Sequence, residues 1–449
     1  MKTHKILYLL LTSAVIFFAS CKDLLEVDTT NTINSDNGVI TSIDRANVAL
    51  IGMYSGMQGA NYLGTYSVIW NDLAADNLEH TGTQTVNADI FHNEILTSNS
   101  RLLGIWQQMY YVINIANTII ADVEAMDVDA DKKNPILGEA YFARAYTYHC
   151  LNKYWNGVPL QLIPVRKLAS EINALPRSTK NQVDQQIFSD LDNAISLLED
   201  YDPVNGHANV WAAKAIKARI HLYRGEWQAA YDAANDVIEN GPFKLTDKYS
   251  QVFDYRVPYS SESIFELDFD DQDGNSYAFW FFERAFGGRR EFAPTESLVN
   301  AYAYDAVTNP DKRFENNVYY YADEDRYMVT KYNDVSTGSD NVTVTRLAEM
   351  YLIRAEAKFN GALGTAVALD DVNFIRDRAE IDPLAGPLTI DDILRERRLE
   401  FAFEGLRFDD FQRYQLLSEK PSLTNVNQLL WPIPQLEVDV AGLQQNLGY

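Results

Sequence analysis

A run of aromatic residues in the middle of the chain is the segment best suited to binding chemistry. Residues 277–282 read Tyr-Ala-Phe-Trp-Phe-Phe, and Arg284, a glycine pair and Arg289-Arg290 follow. Indole and phenol rings can stack on the apolar faces of sugar rings, while guanidinium groups donate hydrogen bonds to hydroxyls. The same rings could instead form a buried pair of strands. The sequence leaves both interpretations open.

Three glutamates near the end of the chain, Glu396, Glu400 and Glu404, are spaced four residues apart. Paired carboxylates can act as general acid and base in glycoside hydrolysis. At this spacing, however, they share one helix face beside Arg397 and Arg407. That pattern favours an ion-pair ladder that holds the last helix to the scaffold. We therefore predict no catalytic residue in this cluster.

The acidic run 268–275 resembles a calcium-binding loop, but the register fails. With Gly274 at the sixth loop position, the first ligand position falls on Phe269, which cannot bind a cation. A looser structural Ca²⁺ site stays open beside the simpler interpretation of a solvated turn. The six histidines show no ligand spacing, and phosphate-loop, nucleophile-elbow and HExxH motifs are absent from the sequence. We predict no cofactor, no metal ligands and no enzymatic activity.

The N-terminus has the pattern of a secreted, lipid-anchored protein. Lys2 and Lys5 precede an apolar run that is too short to cross a bilayer, and Ala19-Ser20 lead into Cys21. This arrangement resembles a bacterial lipobox, although an ordinary signal peptide beside an incidental cysteine is the alternative. We predict a signal peptide at 1–20, lipidation of Cys21, a membrane link through the acyl chains and an extended tether at 21–41. The other cysteine, Cys150, is predicted to be buried.

The charge of the chain excludes several classes of partner. The formal net charge is −25, from 63 acidic and 38 basic residues. Nucleic-acid binding requires lysine and arginine against the phosphate backbone, so we predict no nucleic-acid partner. Adhesion to anionic lipid is disfavoured for the same reason.

The apolar pattern predicts a mainly helical scaffold around the aromatic run. Small residues and a turn glycine at Gly225 resemble tetratricopeptide-like helical hairpins. Residues 60–100 show no sustained period and are predicted to be irregular. We predict one domain at 42–449, with tetratricopeptide-like helices at about 42–240 and 346–418. A large loop-rich insertion at about 241–345 would carry a few short β-strands. The first predicted helix begins at Ser42. The others are predicted over 103–126, 135–154, 182–198, 210–223, 227–239, 346–359, 365–378 and 390–405.

Separated motifs span the chain from end to end. They comprise the segment 21–26, a helix with Trp106, Tyr110, Ile113 and Asn117, the segments 139–145, 346–357, 395–401 and 404–410, and the ending Trp431-Pro432-Ile433-Pro434 with 445–449. Together, in this order, they resemble the SusD/RagB family of nutrient-binding outer-membrane lipoproteins.

The resemblance implies a tetratricopeptide-based fold and a non-catalytic receptor at the cell surface, anchored in the outer membrane. It also implies an oligosaccharide ligand and a SusC-like TonB-dependent transporter as partner. A peptide receptor on the same scaffold and a surface glycoside hydrolase are the alternatives. Relatives bring aromatic and polar groups from the loop after the first helix and from the later insertion. By region, this implies a site made by Trp70, Asn77, His80 and Asn87 facing Tyr277, Trp280, Phe281, Arg289 and Tyr304.

Overall fold

The structure is a computed structural model that describes residues 38–166, 175–201, 205–304 and 310–449. The predicted signal peptide, Cys21 and most of the predicted tether lie outside the described residues. Within them the fold is mainly helical with three two-stranded sheets, which confirms the predicted fold class. In the same ranges, no helix combines the length and the apolar character needed to cross a membrane.

The first half of the chain is a stack of helices. Consecutive helices pack on each other, α4 on α5, α5 on α6 and α7 on α8. Their bounds are α1 (Ile43–Gln58), α2 (Tyr66–Ala74), α3 (Thr85–Phe91), α4 (Ser100–Glu124), α5 (Ala130–Trp155), α6 (Lys180–Leu197), α7 (Val210–Tyr223) and α8 (Trp227–Asn240).

Helix α1 follows from its sequence. The Ser42 side chain accepts a hydrogen bond from the Arg45 amide and caps the helix. Ala46, Met53 and Met57 recur at helical spacing on one face, and all three are buried. In α7, small alanines on the buried face allow the neighbouring helices to approach closely, as expected of a tetratricopeptide-like pair.

Three predicted segments differ from the structure. The helix predicted over 390–405 ends at Glu400, so Glu404 lies in the turn that follows it. Helix α5 begins at Ala130 rather than at Pro135, because a proline near a helix N-terminus removes only one backbone hydrogen bond and is tolerated there. Residues 60–100 are not irregular but contain α2, α3 and the strand β1 (Leu78–His80). Every residue of α2 is buried, so this helix has no polar face and no period that a sequence pattern could reveal.

The insertion contains the predicted short strands and three short helices. Strand β2 (Ser263–Leu267) pairs with β6 (Val342–Arg346), β4 (Val318–Tyr321) with β5 (Arg326–Val329), and β3 (Phe292–Pro294) with β1, all antiparallel. The helices are α9 (Tyr277–Phe281), α10 (Glu296–Tyr304) and α11 (Lys312–Asn317). The β1–β3 pair places His80 opposite Phe292, so it joins the region 60–100 to the insertion.

The last third of the chain returns to helices and closes the core. They are α12 (Leu347–Phe359), α13 (Ala368–Arg378), α14 (Ile390–Glu400), α15 (Arg407–Tyr414) and α16 (Gln435–Ala441). Beyond α15, Trp431 stacks on Tyr154 with ring centroids 4.0 Å apart, and the Trp155 indole donates to the Pro432 carbonyl at 2.7 Å. Cys150 is buried in α5, as predicted.

The glutamates of α14 and the following turn form the predicted ion-pair ladder. Arg346 joins Glu400 to Glu404, with Nη2 2.8 Å from Oε1 of Glu404, and Arg313 joins Glu396 to Glu400. Burial alone would raise the pKa of Glu400, but the guanidinium groups of Arg378, Arg346 and Arg313 outweigh it and hold the pKa well below its usual value. Glu400 is therefore charged, and its role is structural.

Candidate functional site

An open cleft of about 280 Å³ lies between the turn after β1 and the insertion. We call it the insertion cleft. Because β1 pairs with β3, residues 81–83 lie next to residues 289–291, and the β4–β5 hairpin closes the far side. The lining residues are Thr81, Gly82, Thr83, Glu283, Arg284, Ala285, Arg289, Arg290, Glu291, Tyr321, Glu324 and Arg326.

Glu291 joins the segment after β1 to the insertion, which form two walls of the cleft. Its side chain is fully buried, with Oε1 2.9 Å from His80 Nε2 and accepting from the Gln84 amide at 2.9 Å. Its other oxygen lies 3.2 Å from Arg289 Nε. Burial alone would raise the pKa of Glu291, but hydrogen bonds from His80 and the Gln84 amide outweigh it and lower the pKa. The carboxylate is thus charged and positions Arg289.

A second buried carboxylate, Glu283, fixes the opposite wall. Arg326 binds it with two hydrogen bonds of 2.7 Å, and Arg290 Nε lies 2.8 Å from Oε1. Arg290 has a φ of 49°, a left-handed conformation that is uncommon for a residue with a side chain. The ion pair with Glu283 holds this conformation, and backbone strain of this kind concentrates at functional sites.

Exposed rings border the cleft. Phe279 is 40% exposed, Phe286 43% and Tyr319 48%, and the Phe286 ring packs edge-on against Tyr321 with centroids 5.3 Å apart. Trp280 is half-buried, and the Arg289 guanidinium lies 5.3 Å from its ring centroid. Large apolar side chains grouped at a surface mark binding sites more often than chance. We call Phe279, Trp280, Phe286, Tyr319 and Tyr321 the aromatic rim.

Five of the predicted ligand-binding residues lie in the core instead. They are Trp70, Asn77, Asn87, Tyr277 and Phe281, all buried. The Trp70 indole donates to Asn87 Oδ1 at 3.1 Å, Asn77 donates to Asp72 Oδ1 at 2.6 Å, and the Tyr277 hydroxyl donates to the Leu63 carbonyl at 2.6 Å. The prediction that these side chains reach a ligand is corrected, because their polar groups are occupied by internal partners.

The correction at the aromatic run has a simple cause. The run forms a short helix, α9, in which residues four apart lie on the same face. Tyr277 and Phe281 therefore both point inward, and Phe279 and Trp280 are turned toward the surface. Neither open interpretation of the run, a strand pair or an irregular stacking platform, described this geometry.

The remaining predicted residues lie at the cleft or outside the described side chains. Arg289 lines the cleft. The Trp280 ring lies against the Arg289 guanidinium, and His80 binds Glu291 behind the cleft wall. Tyr304 ends α10, and its side chain lies outside the described residues. The predicted site left out Phe286, Tyr319, Tyr321 and Arg326. It also left out Arg284, although the sequence placed that arginine directly after the aromatic run. A signal existed in Tyr319-Tyr320-Tyr321, because a strand of an uncovered hairpin cannot bury three consecutive rings.

The acidic run 268–275 forms a turn closed by its own carboxylate. Asp270 accepts hydrogen bonds from the backbone amides of Gln272 and Asp273, both at 2.8 Å. Across the described ranges no group of three or more metal-binding side chains comes close enough to hold an ion. This turn therefore supplies no set of ligands for the looser Ca²⁺ site that the sequence left open.

A second cavity, of about 340 Å³, lies among α5, α6, α7 and α15. Its lysine and arginine side chains are paired: Lys153 with Asp409 at 3.1 Å, Lys180 with Asp184 at 3.2 Å, Arg224 with Asp184, and Arg413 with Glu356. Tyr223 is half-buried and donates to Asp409 at 2.9 Å. With its charges matched internally and its phenol engaged, this cavity has less to offer a ligand than the insertion cleft.

A tetratricopeptide-like helical scaffold that presents a ring-bordered polar cleft is the architecture of a binding protein. Comparison with known proteins agrees. A SusD-like family model described as starch-binding and associating with the outer membrane matches residues 24–222, and the SusD family model matches residues 243–426. The chain belongs to the SusD/RagB family.

Individual relatives resemble the chain over nearly its full length. The SusD-like protein P2 of Formosa agariphila is 26% identical, over 98% of this chain and 97% of that protein. A SusD superfamily protein from Bacteroides vulgatus superposes with a TM-score of 0.82 at 24% identity, over 91% of this chain and 99% of the other. A laminarin-binding SusD-like protein superposes with a TM-score of 0.79 at 23% identity, over 90% and 99%.

Proposed function

We propose that the protein is a non-catalytic surface receptor for oligosaccharides, which it binds at the insertion cleft. The aromatic rim is the observation that carries this proposal. Exposed rings beside arginine and hydroxyl groups supply both halves of sugar recognition, stacking on C–H faces and hydrogen bonds to hydroxyls. Membership in a family whose model is described as starch-binding supports a glycan ligand.

The carboxylates of the cleft support binding rather than hydrolysis. A glycoside hydrolase needs one carboxyl group with a raised pKa to protonate the leaving oxygen and a second carboxylate on the other side of the bond. Glu291 is buried with a lowered pKa, and Glu283 is bound by two arginines. Glu291 is therefore not protonated for acid catalysis, and Glu283 is held inside the wall by its arginine partners.

In the cell, we propose that the receptor is held at the outer membrane by acyl chains on Cys21 and passes its ligand to a SusC-like TonB-dependent transporter. Stacking with a few hydrogen bonds gives moderate affinity, which suits capture followed by release to a transporter. Family membership supports the transporter as partner, and the lipobox pattern supports the anchor.

Binding of the signal-free protein to a combined oligosaccharide and peptide array tests the proposal. We expect binding to oligosaccharides, and loss of that binding in Phe286→Ala. The matched control is Phe374→Ala, which removes a comparably exposed ring on α13 (52% exposed) and should leave binding unchanged. Binding to peptides alone would favour the peptide receptor, and new reducing ends in incubated polysaccharide would favour the hydrolase.

A further inference from the structure

The insertion cleft is locally basic in a strongly acidic chain. Four arginines and three glutamates line it, whereas the whole chain carries a net charge of −25. A neutral ligand needs no local excess of positive charge. An anionic ligand does, because the field of the whole protein would otherwise repel it.

Most acidic side chains of the cleft are paired with arginines inside its wall. Buried Glu283 binds both Arg290 and Arg326, and buried Glu291 binds Arg289. Such pairs fix the positions of the guanidinium groups, and Arg290 also donates from Nη2 to the Tyr327 carbonyl at 3.2 Å.

Two guanidinium groups have N–H donors that remain available to a ligand. Arg284 is exposed, and its guanidinium group makes no hydrogen bond or ion pair among the described residues. Arg289 is 38% exposed at its side chain and meets Glu291 through Nε, so its other nitrogens are not used by that contact. The exposed carboxylate nearby, Glu324, lies 3.7 Å from Arg326.

We propose that the ligand of the insertion cleft is an acidic glycan, whose carboxylate or sulfate groups are bound by Arg284 and Arg289 while its rings lie on the aromatic rim. This inference rests on the proposed function. The planar guanidinium fork matches carboxylate and sulfate oxygens with two parallel hydrogen bonds. Ring stacking beside it would exclude water and strengthen those bonds.

The experiment is a direct binding measurement with a panel of purified oligosaccharides. The panel holds uronate-bearing oligogalacturonates and alginate fragments, sulfated carrageenan fragments, and neutral fragments of laminarin, xylan and starch. We expect the tightest ligand to be acidic, with an affinity that falls as NaCl rises from about 0.05 to 0.5 M. Carboxyl reduction or desulfation of that ligand then identifies which anion is bound.

Variants test which arginines bind the anionic group of the ligand. Arg284→Gln and Arg289→Gln should each weaken binding of the acidic ligand by about tenfold. Neither variant should further weaken binding of the reduced or desulfated derivative. Arg256→Gln removes an exposed arginine elsewhere in the insertion, paired with Asp254, and is the matched control.

The outcomes separate the inference from the proposed function. If the tightest ligand is neutral and insensitive to Arg284→Gln and Arg289→Gln, the acidic-glycan inference is overturned while the oligosaccharide receptor stands. If no oligosaccharide binds, both are overturned. Acidic-ligand binding that is equal in wild type and in both variants would also overturn the inference.

Discussion

Gly82 lies directly over the carboxylate of Glu291. A Cβ atom at position 82 would stand 2.0 Å from Oε2 and 2.2 Å from the carboxyl carbon. Glycine is therefore required here for close approach, because the buried carboxylate cannot yield without losing His80 and the Gln84 amide.

The first prediction follows from this contact. Gly82→Ala should displace Glu291, release Arg289 and weaken oligosaccharide binding by about tenfold, since a buried charge-assisted hydrogen bond contributes on the order of 1.5–3 kcal/mol. The measurement is isothermal titration with the tightest array ligand.

Gly52→Ala is the matched control for that substitution. Position 52 lies within α1, and a Cβ there meets nothing within 4 Å. We expect unchanged binding and a free energy of unfolding raised by about 0.5–1 kcal/mol, because alanine favours helix over glycine. If both variants bind like wild type, Glu291 does not position the site.

The second prediction concerns two phenylalanines on opposite faces of α9. Phe279→Ala should weaken oligosaccharide binding and leave stability nearly unchanged, because its ring is exposed. Phe281→Ala should do the reverse, lowering the free energy of unfolding by about 3–5 kcal/mol, because its ring is fully buried. Urea unfolding and titration of both variants check this. A loss of affinity confined to folded Phe281→Ala would contradict the orientation of the helix.

The third prediction concerns the ion-pair ladder. Glu400→Gln keeps the shape of the side chain but leaves Arg313, Arg346 and Arg378 short of negative charge in the core. We expect a loss of about 3–5 kcal/mol in the free energy of unfolding, as for other buried pairs broken on one side. Arg256→Gln, at an exposed pair, should leave the urea midpoint unchanged. A Glu400→Gln protein as stable as wild type would refute the structural role of the ladder.

The fourth prediction is a pH dependence from Asp72. Burial raises the pKa of this carboxyl from 3.8 to about 6, against hydrogen bonds from Asn77 and from the Gly405 and Phe403 amides. The folded state therefore holds this proton more tightly than the unfolded state does. The resulting stability is fully present below pH 3.8 and is lost as the pH rises through about 6.

Comparison with Asp72→Asn isolates that contribution. Between pH 4 and pH 6.5, wild type should lose roughly 2–3 kcal/mol of unfolding free energy relative to the variant, since each unit of pKa shift is worth about 1.4 kcal/mol. Urea unfolding at a series of pH values measures the difference. A difference that does not change with pH would show that the Asp72 pKa is unshifted in the fold.

The sequence predicted what depends on amphipathic patterns and on local charge spacing. Met53 and Met57 lie on the buried face of α1 because a surface helix must alternate apolar and polar sides. Glu396 and Glu400 share a face of α14 and pair with arginines, as carboxylates four apart on a helix predict. Glu404 lies in the turn after the helix and reaches Arg346 from there.

What the sequence did not predict depends on contacts distant along the chain. Helix α2 is buried on every side, so nothing in its own pattern distinguishes it from an irregular segment. The inward turn of Tyr277 is fixed by Tyr332, whose ring stacks on it at 4.6 Å. Likewise, Phe286 and Tyr321 meet across a distance in sequence that no local pattern spans.

The central claim is that oligosaccharide binds at the insertion cleft. A crystal structure of the signal-free protein with the tightest array ligand tests this most directly. We predict sugar density between residues 81–83 and the β4–β5 hairpin, with one ring on Phe286 or Trp280 and a polar group at Arg289. Density in the helical cavity beside Lys153 and Tyr223, with the insertion cleft empty, would contradict the account.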